Sequence, residues 1–215
     1  MNVTLIRYTE APDELAGCAA ALCYRGTNID RARQQAMSSG HESVAEHAVF
    51  TFQINAVSRV LLAQLTRHRM ASYSVESQRY CGVDPVWIVP PEVVAKGFKL
   101  SYLSCCNSCY QLFNDMVRCG VPAEDARYAI PQGVTCQLML TMNVRELRHF
   151  FSLRCCNRAQ WEIRELADEM LKLCKERAPA LFRDAGPGCV RHCCPETNPC
   201  DCPRVVEWRG VQKEA

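Results

Sequence analysis

Twice in this chain a strand-like alternation passes into a helix-like periodicity with no linker between the two. Over residues 49–56, Phe50, Phe52, Ile54 and Ala56 alternate with Thr51, Gln53 and Asn55. A period of two with one apolar side describes a half-buried strand. From Val57 the spacing changes: Val57, Val60, Leu61, Gln64, Leu65 and His68 recur at helical intervals. Over residues 134–142 the alternation returns, with Val134, Cys136, Leu138, Leu140 and Met142 set against Thr135, Gln137, Met139 and Thr141. Asn143 then has the chemistry of a helix cap, and Glu146, three residues on, that of its capping-box partner. Any fold for this chain must accommodate both kinds of element.

The remaining segments fill in around these. Asn2–Tyr8 reads as a first strand, and 12–23 and 30–38 as short helices, the second capped by Asp30. Pro90-Pro91 breaks the chain before a long helix over 92–118, with Tyr102, Cys106, Cys109, Phe113 and Met116 on its apolar side. A short helix follows Val121-Pro122, holds Glu124 and Asp125 in its first turn, carries Arg127 and ends before Pro131. After Asn143, Leu147, Phe150, Phe151 and Arg154 share one helical side, while Arg145 and His149 share another. A last long helix over 159–177 buries Ile163, Leu166, Ala167, Met170, Leu173 and Cys174.

Composition excludes some classes. At 215 residues, 48% hydrophobic and 22% charged, the chain has enough material for one sizeable core. A net charge of +2 is too small for a general nucleic-acid polymer binder. The start lacks a basic segment followed by an apolar run, and no apolar stretch reaches membrane-spanning length. The expectation is a cytoplasmic protein with no membrane partner. The 16 cysteines are then reduced thiols rather than disulfides. Cys105, Cys106 and Cys109 sit on a helix, where cysteine packs as a small hydrophobe.

The chemistry concentrates in RHRMASYSVESQRY: Arg67-His68-Arg69, seven residues, Ser77, then Arg79 and Tyr80. Each guanidinium presents a planar fork of donors matched to phosphate or carboxylate. Loop N–H groups and hydroxyls add to such a site. Gln64 and His68 close one apolar stripe and Arg154 closes another. Polar groups there need partners, because burying one unpaired costs about 1–3 kcal/mol. A ligand and a satisfied core histidine both answer that need.

The segment resembles the signature of the flavin-dependent thymidylate synthases, and the resemblance spreads along the chain. Gly40-His41-Glu42-Ser43-Val44-Ala45-Glu46-His47 precedes Val49-Phe50-Thr51-Phe52. Then come Gln64-x-x-Arg67-His68-Arg69, Ala71-Ser72-Tyr73, Ser77-x-Arg79-Tyr80, Ala126-Arg127, Asn143-x-Arg145, and Leu153-Arg154 with Ala159-Gln160-Trp161-Glu162-Ile163. The match spans residues 1–185, a single synthase domain, and leaves 186–215 as a Cys-rich tail. The resemblance implies an α+β fold of the thymidylate synthase-complementing type: a twisted, largely antiparallel sheet packed with helices and assembled as a homotetramer. It implies reductive methylation of dUMP to dTMP, with 5,10-methylenetetrahydrofolate as one-carbon donor and NADPH-reduced FAD as hydride source. It implies FAD contacts from His41, Ser43, Glu46, Arg67, His68, Arg69, Asn143, Arg145 and His149. It implies nucleotide contacts from Gln64, Ser77, Gln78, Arg79, Arg127 and Arg154, with Arg154 the catalytic group facing the pyrimidine. The roles would be split across subunits.

The chain also departs from that pattern. Many members carry Asn-Glu after Ala-Ser-Tyr, where this chain has Ser74-Val75; Glu76 is one position off and would point elsewhere. No residue is a convincing covalent nucleophile, and Ser77 has no obvious base. In the tail, four of Cys189, Cys193, Cys194, Cys200 and Cys202, or three of them with His192, could hold zinc, but the spacing matches no established ribbon or finger and no metal is expected. Two other readings stand beside the synthase: a flavin or nucleotide binder without synthase activity, and a colourless thiol or metal protein in which the Arg cluster is structural.

Overall fold

The computed structural model describes residues 1–191. In chain order the elements are β1 (Asn2–Tyr8), α1 (Pro12–Tyr24), α2 (Ile29–Ser38), a 3-10 turn (Glu42–His47), β2 (Val49–Ser58), α3 (Arg59–Leu65), β3 (Ala71–Val75), α4 (Pro91–Ala95), α5 (Lys99–Arg118), α6 (Ala123–Ala126), β4 (Thr135–Asn143), α7 (Val144–Arg154), α8 (Trp161–Arg177) and α9 (Gly188–Arg191). The strands form one antiparallel sheet in the order β1-β2-β4-β3. This is the α+β class. Among the described residues no helix is long and apolar enough to cross a membrane. Two compact units divide the chain: Met1–Asn2, Ile54–Arg67 and Tyr73–Met139 in one, Val3–Gln53, His68–Ser72 and the chain from Leu140 in the other.

Both strand-to-helix handovers occur as the periodicity predicts, each with a cap at the joint. Ser58 ends β2, and its hydroxyl accepts from Leu61 N at 3.0 Å. Asn143 ends β4, and its Oδ1 accepts from Glu146 N at 2.9 Å. Each cap satisfies one of the orphan N–H groups of a first helical turn. In β2 the alternation slips before the joint. Phe50, Phe52 and Ile54 are buried as predicted, but Ala56 is exposed with φ +55°, and Val57 takes the next inward place. The strand therefore runs two residues past its predicted end, and Val60 faces outward instead of joining the stripe.

The second unit is built on aromatic packing. Phe182 meets the edges of Phe50 at 5.6 Å and Phe151 at 5.9 Å, and Tyr8 stacks on Phe50. Asp13, in the first turn of α1, accepts from Ala180 N and Leu181 N, both at 2.9 Å. Helices α1 and α2 meet through Ala20, Ala21, Ala32 and Ala36. Gly17 permits the close approach: a Cβ there would stand 2.9 Å from the Ile29 carbonyl oxygen. The cap of α2 is Asn28, not Asp30; Asn28 Oδ1 accepts from Arg31 N, while Asp30 pairs with Arg33 at 2.8 Å. In α8 the buried set contains Leu171 where Leu173 was expected, and the cap is Gln160.

The first unit packs α5 through Phe113 onto Val83, Ala126 and Val134. The expected helix over 92–118 is two helices, because Gly97 adopts φ +79° and ends the short α4. Cys106 is buried and Cys109 half-buried, and burial pushes both thiols above their ordinary value, as packing predicts; Cys105 is exposed and does not join them. Cys193, Cys194, Cys200, Cys202 and His192 lie outside the described residues.

Candidate active site

Each unit holds a cavity lined in part by polar side chains. That of the second unit has a volume of about 430 Å³ and opens along α7. Arg145, His149 and Ser152 follow at intervals of four and three, so one helical face presents all three. Asn143 and Glu146 line it from the first turn, and Glu42 and Glu46 from the 3-10 turn. Arg145 Nη1 donates to Glu46 Oε1, and this pairing raises the guanidinium pKa. Beneath, Arg148 is fully buried and fixed by Glu42 Oε1 at 3.2 Å, the Leu181 carbonyl, and both carboxylate oxygens of Asp184 at 2.8 and 3.2 Å.

The buried His68 belongs to this unit and stands edge-on to His149, with centroids 6.0 Å apart. Its Nδ1 lies 3.2 Å from Glu146 Oε1, and Arg154 Nε donates to its Nε2 at 3.1 Å. The polar end of one stripe thus meets the polar end of the other. Glu146 does not complete a capping box; its carboxylate turns to His68. Burial raises the Glu146 pKa, and the nearby His149 opposes that rise.

The cavity of the first unit is about 280 Å³ and is lined by Ser77, Gln78, Arg59, Glu76 and Asp84 among others. Ser77 Oγ accepts from Arg79 N at 3.2 Å, shaping the turn. Arg59 donates through Nη2 to the Glu76 carbonyl at 3.1 Å, and its buried Nε has no partner among the described residues. A buried donor of this kind fits an anionic or strongly accepting ligand. Arg79 pairs with Glu124 at 2.8 Å, and Arg127 Nε donates to the Glu124 carbonyl at 3.1 Å. One residue thus gathers both cations.

Of the residues assigned to FAD by resemblance, Glu46, Asn143, Arg145 and His149 line the larger cavity, and His68 contacts His149. Arg69 is exposed in the same unit, whereas Arg67 belongs to the other. His41 stacks on Tyr24, whose hydroxyl lies 2.5 Å from its Nδ1; neither His41 nor Ser43 lines the cavity. Of the nucleotide set, Ser77 and Gln78 line the smaller cavity, Gln64 donates to the Val60 carbonyl of its own helix, and Arg154 lies in the second unit with His68. Glu76, expected to point elsewhere, lines the cavity with Ser77 and Gln78.

Sequence reasoning missed Glu146, Arg148, Ser152, Arg59 and Glu124 as site groups. Ser152 had a readable signal, since it continues the spacing of Arg145 and His149. Arg59 had none, because it sat on the unassigned side of a helix.

The family model for "Thymidylate synthase complementing protein" matches residues 4–180. The flavin-dependent thymidylate synthase of Geobacter sulfurreducens is 46% identical, covering 100% of this chain and 99% of its own length. That of Pyrococcus furiosus is 38% identical, over 91% of this chain and 90% of its own. The chain belongs to the flavin-dependent thymidylate synthase family. Two solved structures share the family fold. The Helicobacter pylori enzyme complexed with FAD and dUMP superposes with a TM-score of 0.70 at 24% identity, covering 86% of this chain and 100% of its own. The UMP/dUMP methylase PolB of Streptomyces cacaoi, bound with 5-Br dUMP, gives 0.76 at 22% identity, covering 85% and 93%. Within this family fold, the cavity on α7 collects four of the residues that the sequence motifs mark for the flavin.

Proposed function

We propose that this chain is a flavin-dependent thymidylate synthase, a methyltransferase that converts dUMP to dTMP. The observation that carries the reading is the α7 face, Arg145, His149 and Ser152, over an open polar cavity, in a chain 46% identical along its whole length to a synthase of that name. The donor set fits FAD: a half-exposed guanidinium, an imidazole, an amide and a hydroxyl suit a pyrophosphate and a flavin ring edge. Asn143, Arg145, His149 and Ser152 would hold it, with Arg67, Arg69, His41, Ser43 and Glu46 completing the set and the buried His68 backing His149. FAD supplies hydride when bound, NADPH its electrons, and methylenetetrahydrofolate the carbon.

The chain's own residues bind and polarise. Ser77, Gln78, Arg59, Arg79, Arg127 and Gln64 take the nucleotide, and the orphan Nε of Arg59 gives the smaller cavity a donor for a phosphate or carbonyl oxygen. Arg154 faces the pyrimidine and stabilises the charge that develops there, an electrostatic role needing no covalent nucleophile. The full site is assembled in a homotetramer in the cytoplasm, with residues 1–185 acting as one synthase domain.

The purified protein should be yellow, oxidise NADPH faster with dUMP present, and yield dTMP once methylenetetrahydrofolate is added. Bound flavin with no dTMP under these conditions would favour a binder without synthase activity, the reading that Val75 in place of the usual acid supports.

A further inference from the structure

We propose that Glu146 is a positioning residue: through His68 it fixes the orientation of the Arg154 guanidinium. The proton count on the three side chains is fixed by their chemistry. Arginine has five N–H donors, no acceptor, and does not deprotonate in proteins. Arg154 Nε donates to His68 Nε2 at 3.1 Å, so that nitrogen must carry a lone pair. A neutral imidazole then has its one proton on Nδ1. Nδ1 lies 3.2 Å from Glu146 Oε1, which accepts it. The chain of donors runs Arg154 to His68 to Glu146, and each partner dictates the next. The opposite tautomer would set two N–H groups against each other at Nε2 and two acceptors against each other at Nδ1.

Packing leaves the ring little choice. His68 is 5% exposed, and Phe150, fully buried, stands edge-on to it with centroids 5.0 Å apart. The backbone N–H of Glu146 donates to the Asn143 cap at 2.9 Å, which anchors the residue that bears the carboxylate at the β4–α7 joint. The guanidinium is therefore referenced to the sheet through three side chains. A group that stabilises developing charge works by being placed beforehand. Glu146 supplies that placement without touching the reacting atoms.

This inference rests on the reading of Arg154 as the group facing the pyrimidine, and the experiment separates the two. The full-length flavin-loaded protein is labelled with ¹⁵N-histidine, and the His68 ring nitrogens are assigned by comparison with His68→Gln. Wild type should show a protonated Nδ1 and a bare Nε2. A protonated Nε2 overturns the proposal. Glu146→Ala should lower kcat for dTMP roughly ten- to a hundredfold, the loss of one hydrogen bond to a charged group, with KM for dUMP and flavin content little changed. Glu146→Gln keeps an acceptor and should recover most of that loss. Equal impairment of both variants, or loss of flavin as the main effect, overturns the proposal; should Glu146→Ala not fold, the wild-type tautomer and Glu146→Gln still decide it. Wild type that shows the predicted tautomer yet makes no dTMP would fail the synthase reading and leave the positioning contact standing.

Discussion

Replacing Arg148 with methionine is expected to be among the most destabilising single changes in the second unit. The side chain is 1% exposed, while Glu42 and Asp184 are 19% and 47% exposed. Methionine keeps much of the volume, so the cavity contribution is small. The Leu181 carbonyl loses its guanidinium donor inside the protein, at about 1–3 kcal/mol. Glu42 is largely buried and loses an opposite charge, whereas Asp184 is open enough to recover water. Removing one partner of a buried ion pair costs about 3–5 kcal/mol, and R148M is expected to fall in that range. Against a typical total of about 5–15 kcal/mol this is a large fraction. The assay is urea unfolding followed by tryptophan fluorescence, at fixed saturating FAD so that ligation does not confuse the comparison. The midpoint should fall with the slope unchanged. Adding E42Q and D184N to R148M should recover part of the loss, because the two carboxylates that faced the guanidinium are then neutral as well. A loss below about 1 kcal/mol for R148M alone would refute the reasoning.

Three further changes test other parts of the structure. Cys174 is fully buried, and burial holds its thiol well above the ordinary 9.0. A raised folded pKa means its stability contribution is complete below 9.0 and lost as pH rises beyond it. The loss is about 1.4 kcal/mol per pH unit for one proton, and Cys174→Ala should flatten this alkaline limb in unfolding measured from pH 8 to 10 (~1.4 per unit). Gly17→Ala should destabilise by about 1–3 kcal/mol despite alanine's better helix propensity, since its Cβ would stand 2.9 Å from the Ile29 carbonyl; a raised melting temperature would contradict this contact. Ala56→Gly should stabilise by up to about 1 kcal/mol, relief of the left-handed backbone at φ +55° outweighing the extra freedom of the unfolded chain, as read from the thermal midpoint.

Local chemistry made part of this molecule legible. The Asn143 cap, the strand Asn2–Tyr8 and the inward row Phe50, Phe52, Ile54 follow from period and cap chemistry alone, because burial and hydrogen bonding act there over a few residues. Ala56 escaped because a left-handed alanine breaks the alternation through its backbone alone and carries no composition signal. Gly97 was visible but lay inside an otherwise continuous helical pattern, and one glycine does not announce its φ. The short strand Ala71–Val75 lies inside a segment dominated by its arginines, and its five residues are too few to show a period. In the site, spacing put Arg145 and His149 on one helical face, and the family resemblance marked them for the flavin. The pairing of Glu146 with His68 was not, since it joins residues 78 positions apart and competes with a local capping role for the same carboxylate.

The joints at Ser58 and Asn143 leave the chain no slack between strand and helix. In each, the last strand residue is also the cap, so strand register and helix rotation are a single mechanical variable. An inserted residue at either joint would turn the following helix by about 100°. At Asn143 that rotation would carry Arg145, His149 and Ser152 off the cavity together and swing Glu146 away from His68. The architecture is geared rather than hinged: the sheet sets the angle at which α7 offers its polar face, and length changes belong in the other connections of the chain.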